Sequence, residues 1–304
     1  MQKIIFTTSM GSVEIGDVNC SSVTGEKILR LSGFDGNSKK NRLQAVQCIG
    51  MAGQRVLSAL PEVQTITADI AFAPVFLRNS RFVCTGAPGM YALRREVLSR
   101  FPLGVPGTLK YINDAGEYEI QARIDEVPLV SVKSGHLCEC RLSFTADYPY
   151  WSRTVQSDKK AVTGGGLAAV FDAADLGDAE SPISGVIHCT STMSAASPDC
   201  FKLSGGSSVL HFVKPLAENE ELWFSLEYGN EFIMKKRTYV EGQYYTPWTD
   251  AYDYIDFPAD YKPCRVGARR TVSGIPAATE FDFQLYSGGA CTVRLNYHYL
   301  FNAI

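Results

Sequence analysis

An alternation of apolar and polar residues in the first half of the chain predicts β-strands. Between residues 63 and 72, the apolar Ile66, Ile70 and Phe72 share one parity, and most residues of the other parity are polar. A period of two is that of a strand with one buried face and one polar face. Together with the turn residues at 113–116, the pattern predicts further strands at 109–112, 118–124 and 137–146.

One segment has a different period and predicts an amphipathic helix. Its apolar residues recur at intervals of three and four, as the buried side of a helix requires; they are Met90, Leu93, Val97 and Phe101. Pro102 and Gly104 follow, and they end the helix because proline cannot continue the hydrogen-bond ladder. Three arginines, Arg94, Arg95 and Arg100, are candidates for a contact surface, although a solvated face is the default interpretation for each of them.

Residues 41–60 fit a helix by the spacing of their apolar residues, but they contain two glycines. Gly50 and Gly53 would each cost about 1 kcal/mol inside a helix. We therefore favour two strands joined by a turn for this segment.

The second half predicts strands only. Small and acidic residues at 173–180 suggest a connector, and the alternating strands after it suggest a β-sandwich. We expect an N-terminal domain at 1–155, a linker at 156–182 and a sandwich at 183–304. The predicted strands of the sandwich are 186–190, 209–213, 222–228, 281–285 and 291–301.

Composition excludes several classes of protein. The 304 residues fit two domains, and a net charge of −3 argues against a chain that neutralises nucleic-acid phosphates. The first apolar run, residues 4–6, is too short for a signal peptide, and no apolar stretch reaches the length of a membrane span. We expect a protein that is neither exported nor anchored, with nine reduced cysteines that fill the core.

No arrangement of residues predicts a catalytic or metal site. His136, Cys138 and Cys140 share one face of a strand, but no second pair of ligands accompanies them, so a core role is the better interpretation. The four histidines lie within predicted strands with no nucleophile motif beside them. Glu220 and Glu221 are strand neighbours that point to opposite faces and cannot share a proton. We predict a protein without enzymatic activity, cofactor or metal.

The most unusual segment is 241–261, which is rich in aromatic and acidic residues. Tyr244, Tyr245, Trp248 and Tyr252 are candidates for stacking on a sugar, with aspartates beside them to accept hydrogen bonds from its hydroxyls. The alternatives are a loop that packs its own rings or a protein interface, where tyrosine and tryptophan are enriched.

The order of these elements resembles the siphovirus-type tail component family, the distal tail proteins of long-tailed siphophages. The residues that carry the resemblance in the first half are the 65–72 strand, the 92–102 helix and three later segments, Gly107-Thr108-Leu109, Tyr118 to Arg123 and Leu142 to Trp151. In the second half, residues 269–274 and 293–300 are similar to parts of the sandwich that follows in that family.

The resemblance implies a mainly β protein: an N-terminal β-barrel or sandwich-like domain with one α-helix, followed by a galectin-like β-sandwich. It also implies a homohexameric ring in the virion, at the tail tip, assembled in the host cytoplasm. The implied partners are the tail tube protein and a tail-associated lysin, baseplate hub or receptor-binding protein, with DNA at most passing through the lumen. Two alternatives stay open: a carbohydrate-binding module for cell-surface glycans, and an uncharacterised hydrolase.

Overall fold

The computed structural model describes most of the chain and divides it into two compact units. The units are Met1–Trp151 with Asn302–Ile304, and Ser152–Phe301. The described residues are 2–16, 27–36, 41–46, 55–61, 63–78, 81–84, 87–126, 128–134, 137–165, 168–205, 208–226, 232–240, 244–256, 263–269, 271–272, 275–302 and 304.

The first unit contains strands and one α-helix. Its elements are β1 (Lys3–Thr8), β2 (Gly11–Gly16), β3 (Lys27–Asp35), β4 (Asn41–Val46), β5 (Arg55–Pro61), β6 (Gln64–Arg78), β7 (Arg81–Cys84), α1 (Ala87–Ser99), β8 (Gly107–Asn113), β9 (Gly116–Ile124), β10 (Leu129–Ser134) and β11 (Leu137–Ala146). The strands and the helix predicted for this half are confirmed, including the two strands within 41–60.

Seven strands of this unit close into a barrel. The neighbours around the barrel are β1, β2, β3, β6, β11, β9 and β8, and β8 pairs with β1 again. All pairs are antiparallel except β2 with β3, which run parallel where Gly16 faces Arg30. Closure satisfies both edges of each of these strands, which an open sheet cannot do.

The apolar residues of each barrel strand, which alternate with polar ones, point into the barrel. Ile66, Ala68, Ile70 and Phe72 of β6 are all fully buried, as the alternation predicts. The buried side of α1 contacts side chains that point into the barrel. The Met90 sulfur lies 3.2 Å from the Cys138 sulfur, and Phe101, just after the helix, stacks on Phe6 with ring centroids 6.3 Å apart.

The β4–β5 hairpin stands apart from the barrel sheet. Within the described residues its two strands pair only with each other. Their register puts Leu43 opposite Ala59 and Ala45 opposite Val56, with an irregularity between Gln44 and Ala45.

The second unit contains two main sheets and a separate two-stranded sheet formed by Thr271–Val272 and Ile275–Pro276. Its elements are β12 (Trp151–Gln156), whose first residue belongs to the first unit, β13 (Lys160–Thr163), β14 (Ala168–Ala174), β15 (Ser181–Ser191), β16 (Phe201–Gly205), β17 (Ser208–Phe212), β18 (Glu220–Ser225), β19 (Ile233–Val240), β20 (Tyr244–Tyr245), β21 (Thr249–Asp250), a 3₁₀ turn (Tyr252–Tyr254), β22 (Ile255–Asp256), β23 (Arg265–Val266), β24 (Thr271–Val272), β25 (Ile275–Pro276), β26 (Ala278–Leu285) and β27 (Ala290–Phe301). The predicted strands of this half are confirmed over the described residues, which do not include 227–231.

The two sheets enclose one apolar core. The first sheet has the order β13, β27, β15, β18, β19, with β20 and β21 along the far side of β19. The second has the order β14, β26, β16, β17, β22. Phenylalanines from the two sheets meet between them: the Phe212 and Phe224 rings, for example, lie 5.9 Å apart edge to face.

The linker predicted at 156–182 is wrong. β13 pairs with β27 and β14 pairs with β26 in this segment, and Phe171, Ala173 and Asp175 are buried in the second unit. Of the residues at 173–180 that suggested a connector, Ala173 and Ala174 end β14, and Asp175 after them is buried. The segment is therefore part of the second unit.

Gly205 provides a test of this core. A Cβ atom added at Gly205 would lie 2.2 Å from Cδ1 of the buried Phe281 ring. We expect Gly205→Ala to lower the free energy of unfolding by about 1–3 kcal/mol, because the ring has to move within a close-packed core. Denaturant unfolding measures the change.

Gly33→Ala is the control, because a Cβ there meets its nearest atom, Asp69 Oδ2, at an ordinary 3.4 Å. If Gly205→Ala were no more destabilising than Gly33→Ala, the packing between β16 and β26 described above would be incorrect.

Candidate functional site

The three candidate arginines of the first unit lie on or just after α1. Arg95 and Arg100 are exposed and Arg94 is half-buried. Tyr91, one helical turn before Arg95, is 67% exposed, although tyrosine rings are usually at least partly covered. The helix therefore exposes Tyr91 and Arg95, and the turn after it exposes Arg100; these three residues, an aromatic and two cations, are called the helix strip here.

The candidate aromatic residues of the second unit divide into two groups. Tyr245 and Trp248 come together around one arginine that the sequence did not single out. The Arg237 guanidinium carbon lies 3.7 Å from the Tyr245 ring centre and 4.3 Å from the Trp248 ring centre. Tyr244 is exposed and pairs with Val240, and Tyr252 packs against Phe232 at 6.2 Å, so neither belongs to this group.

Arg237 is held by a buried carboxylate. Its Nε and one Nη donate to Glu221 Oε2 at 2.8 Å and 2.6 Å. The Tyr245 hydroxyl donates to the other oxygen, Glu221 Oε1, at 3.1 Å. Glu221 is only 8% exposed, so this ion pair is held in a fixed geometry and is poorly screened by solvent.

The pairing of strands explains how these residues meet. Register places His188, Glu221 and Arg237 in one row across β15, β18 and β19. Val186, Trp223 and Lys235 form the next row on the same face. The Trp223 ring lies 6.1 Å from the Trp248 ring and extends the aromatic surface.

Glu220 and Glu221 point to opposite faces, as predicted. Glu220 accepts a hydrogen bond from Lys236 Nζ at 2.8 Å, while Glu221 pairs with Arg237. Burial lowers the pKa of Lys236, but hydrogen bonds to Glu220 and Tyr254 outweigh it and raise the pKa overall. Burial and the Glu221 carboxylate raise the pKa of the Tyr245 hydroxyl, which keeps it a hydrogen-bond donor at neutral pH.

The cysteines whose side chains the structure describes are core residues, as predicted. These six are buried and free. Burial raises the pKa of Cys140 to about 11 and that of Cys264 and Cys291 to about 12. His136, the third member of the predicted strand-face group, lies outside the described residues.

A histidine and a carboxylate lie within hydrogen-bond distance of each other in the second unit. His211 Nδ1 lies 2.8 Å from Asp199 Oδ2, but no nucleophilic side chain is hydrogen-bonded to this histidine in the part of the chain that the structure describes. Over the same residues, no three histidine, cysteine or acidic side chains are grouped as metal ligands, and no helix is long and apolar enough to cross a membrane.

The comparisons with known proteins identify a fold. No family model matches the chain, and no curated protein matches its sequence. The structure of SPP1 Dit (gp 19.1), described as a paradigm of hub adsorption apparatus in phages infecting Gram-positive bacteria, matches with a TM-score of 0.57 at 8% identity. The match covers 97% of this chain and 99% of that chain.

Two structures of the phage p2 baseplate in its activated conformation also match. The baseplate with strontium matches with a TM-score of 0.50 at 10% identity, and the match covers 97% of this chain and 98% of that chain. The baseplate with calcium has a TM-score of 0.50 at 11% identity and covers 97% of both chains. The resemblance to distal tail proteins is thereby confirmed at the level of the fold.

The Glu221–Arg237 pair yields a stability prediction. Arg237→Ala leaves the buried Glu221 carboxylate with one hydrogen-bond donor, so we expect the free energy of unfolding to fall by about 1–3 kcal/mol. Lys235→Ala, on the same face of the same strand, is the matched control and should change it by less than about 0.5 kcal/mol. Denaturant unfolding measures both changes. Equal effects of the two substitutions would show that the Glu221–Arg237 pair does not contribute to stability.

The cysteines yield a second prediction, on reactivity. Because six of the nine cysteines are buried and free, no more than three should react with iodoacetamide in the native protein. Burial shields the Cys140, Cys264 and Cys291 thiols, and their raised pKa values keep nearly all of each thiol protonated, so these three should stay largely unmodified even at pH 9. Mass spectrometry counts the modified residues, and rapid native labelling of any of these three would contradict the burial.

Proposed function

We propose that this chain is a structural protein of a phage tail tip, a distal tail protein of the siphovirus type. The observation that supports the proposal most strongly is the match of fold to SPP1 Dit over 97% of this chain. The phage p2 baseplate chains provide the same support. The role is that of a hub in the virion, and it is structural, not enzymatic.

In this proposal the chain forms a homohexameric ring through its first unit. A closed six-fold ring is heterologous, so each subunit needs two different complementary patches. The first patch is the helix strip of Tyr91, Arg95 and Arg100, with Arg94 beside it, because tyrosine and arginine are enriched in interfaces.

The β4–β5 hairpin is the second patch. A two-stranded hairpin is at best marginally stable alone in water, and this one pairs only with itself among the described residues. Its register pairs Leu43 with Ala59 and Ala45 with Val56. Packing of the hairpin on a neighbouring copy supplies the further contact that such a hairpin needs.

The ring would join the tail tube protein on one side to the baseplate hub, a tail-associated lysin or a receptor-binding protein on the other. A near-neutral chain of net charge −3 suits a subunit whose surface mostly meets other proteins. We also propose a galectin-like topology for the second unit, supported by its two five-stranded antiparallel layers around one core.

The proposal predicts a ring in solution. Size-exclusion chromatography with light scattering should give a mass of about 200 kDa, six times the 33.3 kDa of one chain. Charge reversal of the helix strip, Arg95→Glu with Arg100→Glu, should shift the protein towards monomer, because it changes the chemistry of a surface whose partner is matched to tyrosine and arginine.

Lys159→Glu, an exposed change of the same sign in the second unit, is the control and should leave the mass unchanged. A strictly monomeric wild-type chain up to about 100 μM would contradict the ring. A hexamer that persists with both helix substitutions would show that the helix strip is not part of the interface.

A further inference from the structure

We propose that Cys189 and Cys291 form a disulfide bond between β15 and β27 when the chain folds under oxidising conditions. The two residues lie directly opposite each other in the antiparallel register of these strands. Among the cysteines whose side chains the structure describes, they are the one pair that a strand register brings face to face. Both are thiols here, so the structure gives the geometry of the reduced pair. The proposal goes beyond the tail-tip role and does not depend on the ring.

The directions of the backbone groups show which kind of cross-strand pair this is. The Cys189 carbonyl accepts a hydrogen bond from Asn219 N at 2.9 Å, on the β18 side of β15. The carbonyl of Leu295, which has the same parity as Cys291, accepts from Ser157 N at 2.8 Å, on the side of β27 that faces away from β15. Since backbone groups alternate between the two edges of a strand, the two cysteines do not hydrogen-bond to each other. Such a non-hydrogen-bonded pair is the closely spaced kind, with Cα atoms about 4.5 Å apart.

Both thiols lie on the core side of the sheet. Cys189 is 0% exposed and Cys291 is 1% exposed, and directly opposite residues of an antiparallel pair share one face. Burial raises the pKa of Cys291 to about 12, and the neighbouring Cys189 thiol adds to the rise because the two groups are close. Disulfides join Cα atoms that are about 4.4–6.8 Å apart, a range that includes this kind of pair. The bond therefore closes without a large movement of the backbone.

Oxidised glutathione, a small-molecule disulfide, supplies the oxidising equivalents while these strands are still unfolded and accessible. The Cys189 thiolate attacks one glutathione sulfur, and a glutathione thiolate leaves. The Cys291 thiolate then attacks the Cys189 sulfur of the mixed disulfide and releases the second glutathione. One S–S bond breaks and one forms, two protein thiols are oxidised, and their protons end on the two glutathione molecules. Folding then buries the new bond in the core, where it is shielded from reductants.

The bond would tie β27 to a strand that is distant in sequence. The two cysteines lie about 100 residues apart, and a link that closes so long a loop strongly restricts the unfolded chain. The oxidised form should therefore resist heat better than the reduced form. Oxidation removes only the weak hydrogen bonds that the Cys189 thiol donates to the Ser191 and Leu216 carbonyls, at 3.2 Å and 3.3 Å.

Expression of the full chain in two bacterial hosts, one with a reducing cytoplasm and one with an oxidising cytoplasm, tests the proposal. Free thiols are alkylated at lysis, and the denatured chain is digested without reductant and analysed by mass spectrometry. A peptide that joins Cys189 to Cys291 should be abundant in the protein from the oxidising host and absent from the other. The oxidised protein should also have a thermal midpoint that is higher by about 5 °C or more.

Cys189→Ala removes one partner, so this variant should lack the linked peptide and should melt at the same temperature from both hosts. Cys264→Ala is the matched control, because Cys264 is equally buried but lies opposite no other cysteine. It should keep both the linked peptide and the rise in thermal midpoint. Comparison of each variant with itself from the two hosts cancels the effect of the substitution on packing.

Two results would count against the disulfide. Absence of the linked peptide from folded wild-type protein made in the oxidising host would overturn the proposal. A rise in thermal midpoint that persists in Cys189→Ala would show that other cysteines cause it, and it would overturn the stabilising role of this pair. Both results would leave the ring unaffected.

Discussion

The first unit depends on the pairing of every strand edge around its barrel. The contact that completes the circle is the shortest one, the parallel pairing of β2 with β3 at Gly16 and Arg30. Without it, β2 and β3 would each present unpaired backbone groups, as any open sheet does. Closure fixes the interior, where Phe6 meets Phe144 edge to face at 5.1 Å, and it leaves the helix free to present Tyr91 and Arg95 outwards.

Over the described residues, the second unit is not closed into a barrel; it is built from two sheets that pack face to face. Its two sheets bury one face each and leave the other face to solvent or to partners. On the first sheet, the outward face carries a buried carboxylate, Glu221, paired with Arg237, whose guanidinium lies against the Tyr245 and Trp248 rings. A buried ion pair contributes little net stability compared with apolar packing. Its presence there is better explained by a requirement for a fixed polar surface.

Local periodicity predicted much of the fold, but contacts between distant strands could not be predicted. The β6 strand and helix α1 follow from the spacing of Ile66 to Phe72 and of Met90 to Phe101, because each pattern lies within one element. The Glu221–Arg237 pair depends on the register of two strands, which a single sequence does not specify. The segment around Phe171 was misread because its small alanines resemble those of a connector, although only their alternation matters in a strand. Tyr245 and Trp248 were found from composition, whereas Arg237 and Trp223, which come near them only through the register of β18 and β19, were not singled out.

Electron microscopy of the purified full chain tests the central claim most directly. The account predicts closed rings with six-fold symmetry, in which the helix strip of one subunit faces the β4–β5 hairpin of the next. Particles that remain single chains, or that assemble into open filaments without a closed ring, would contradict it.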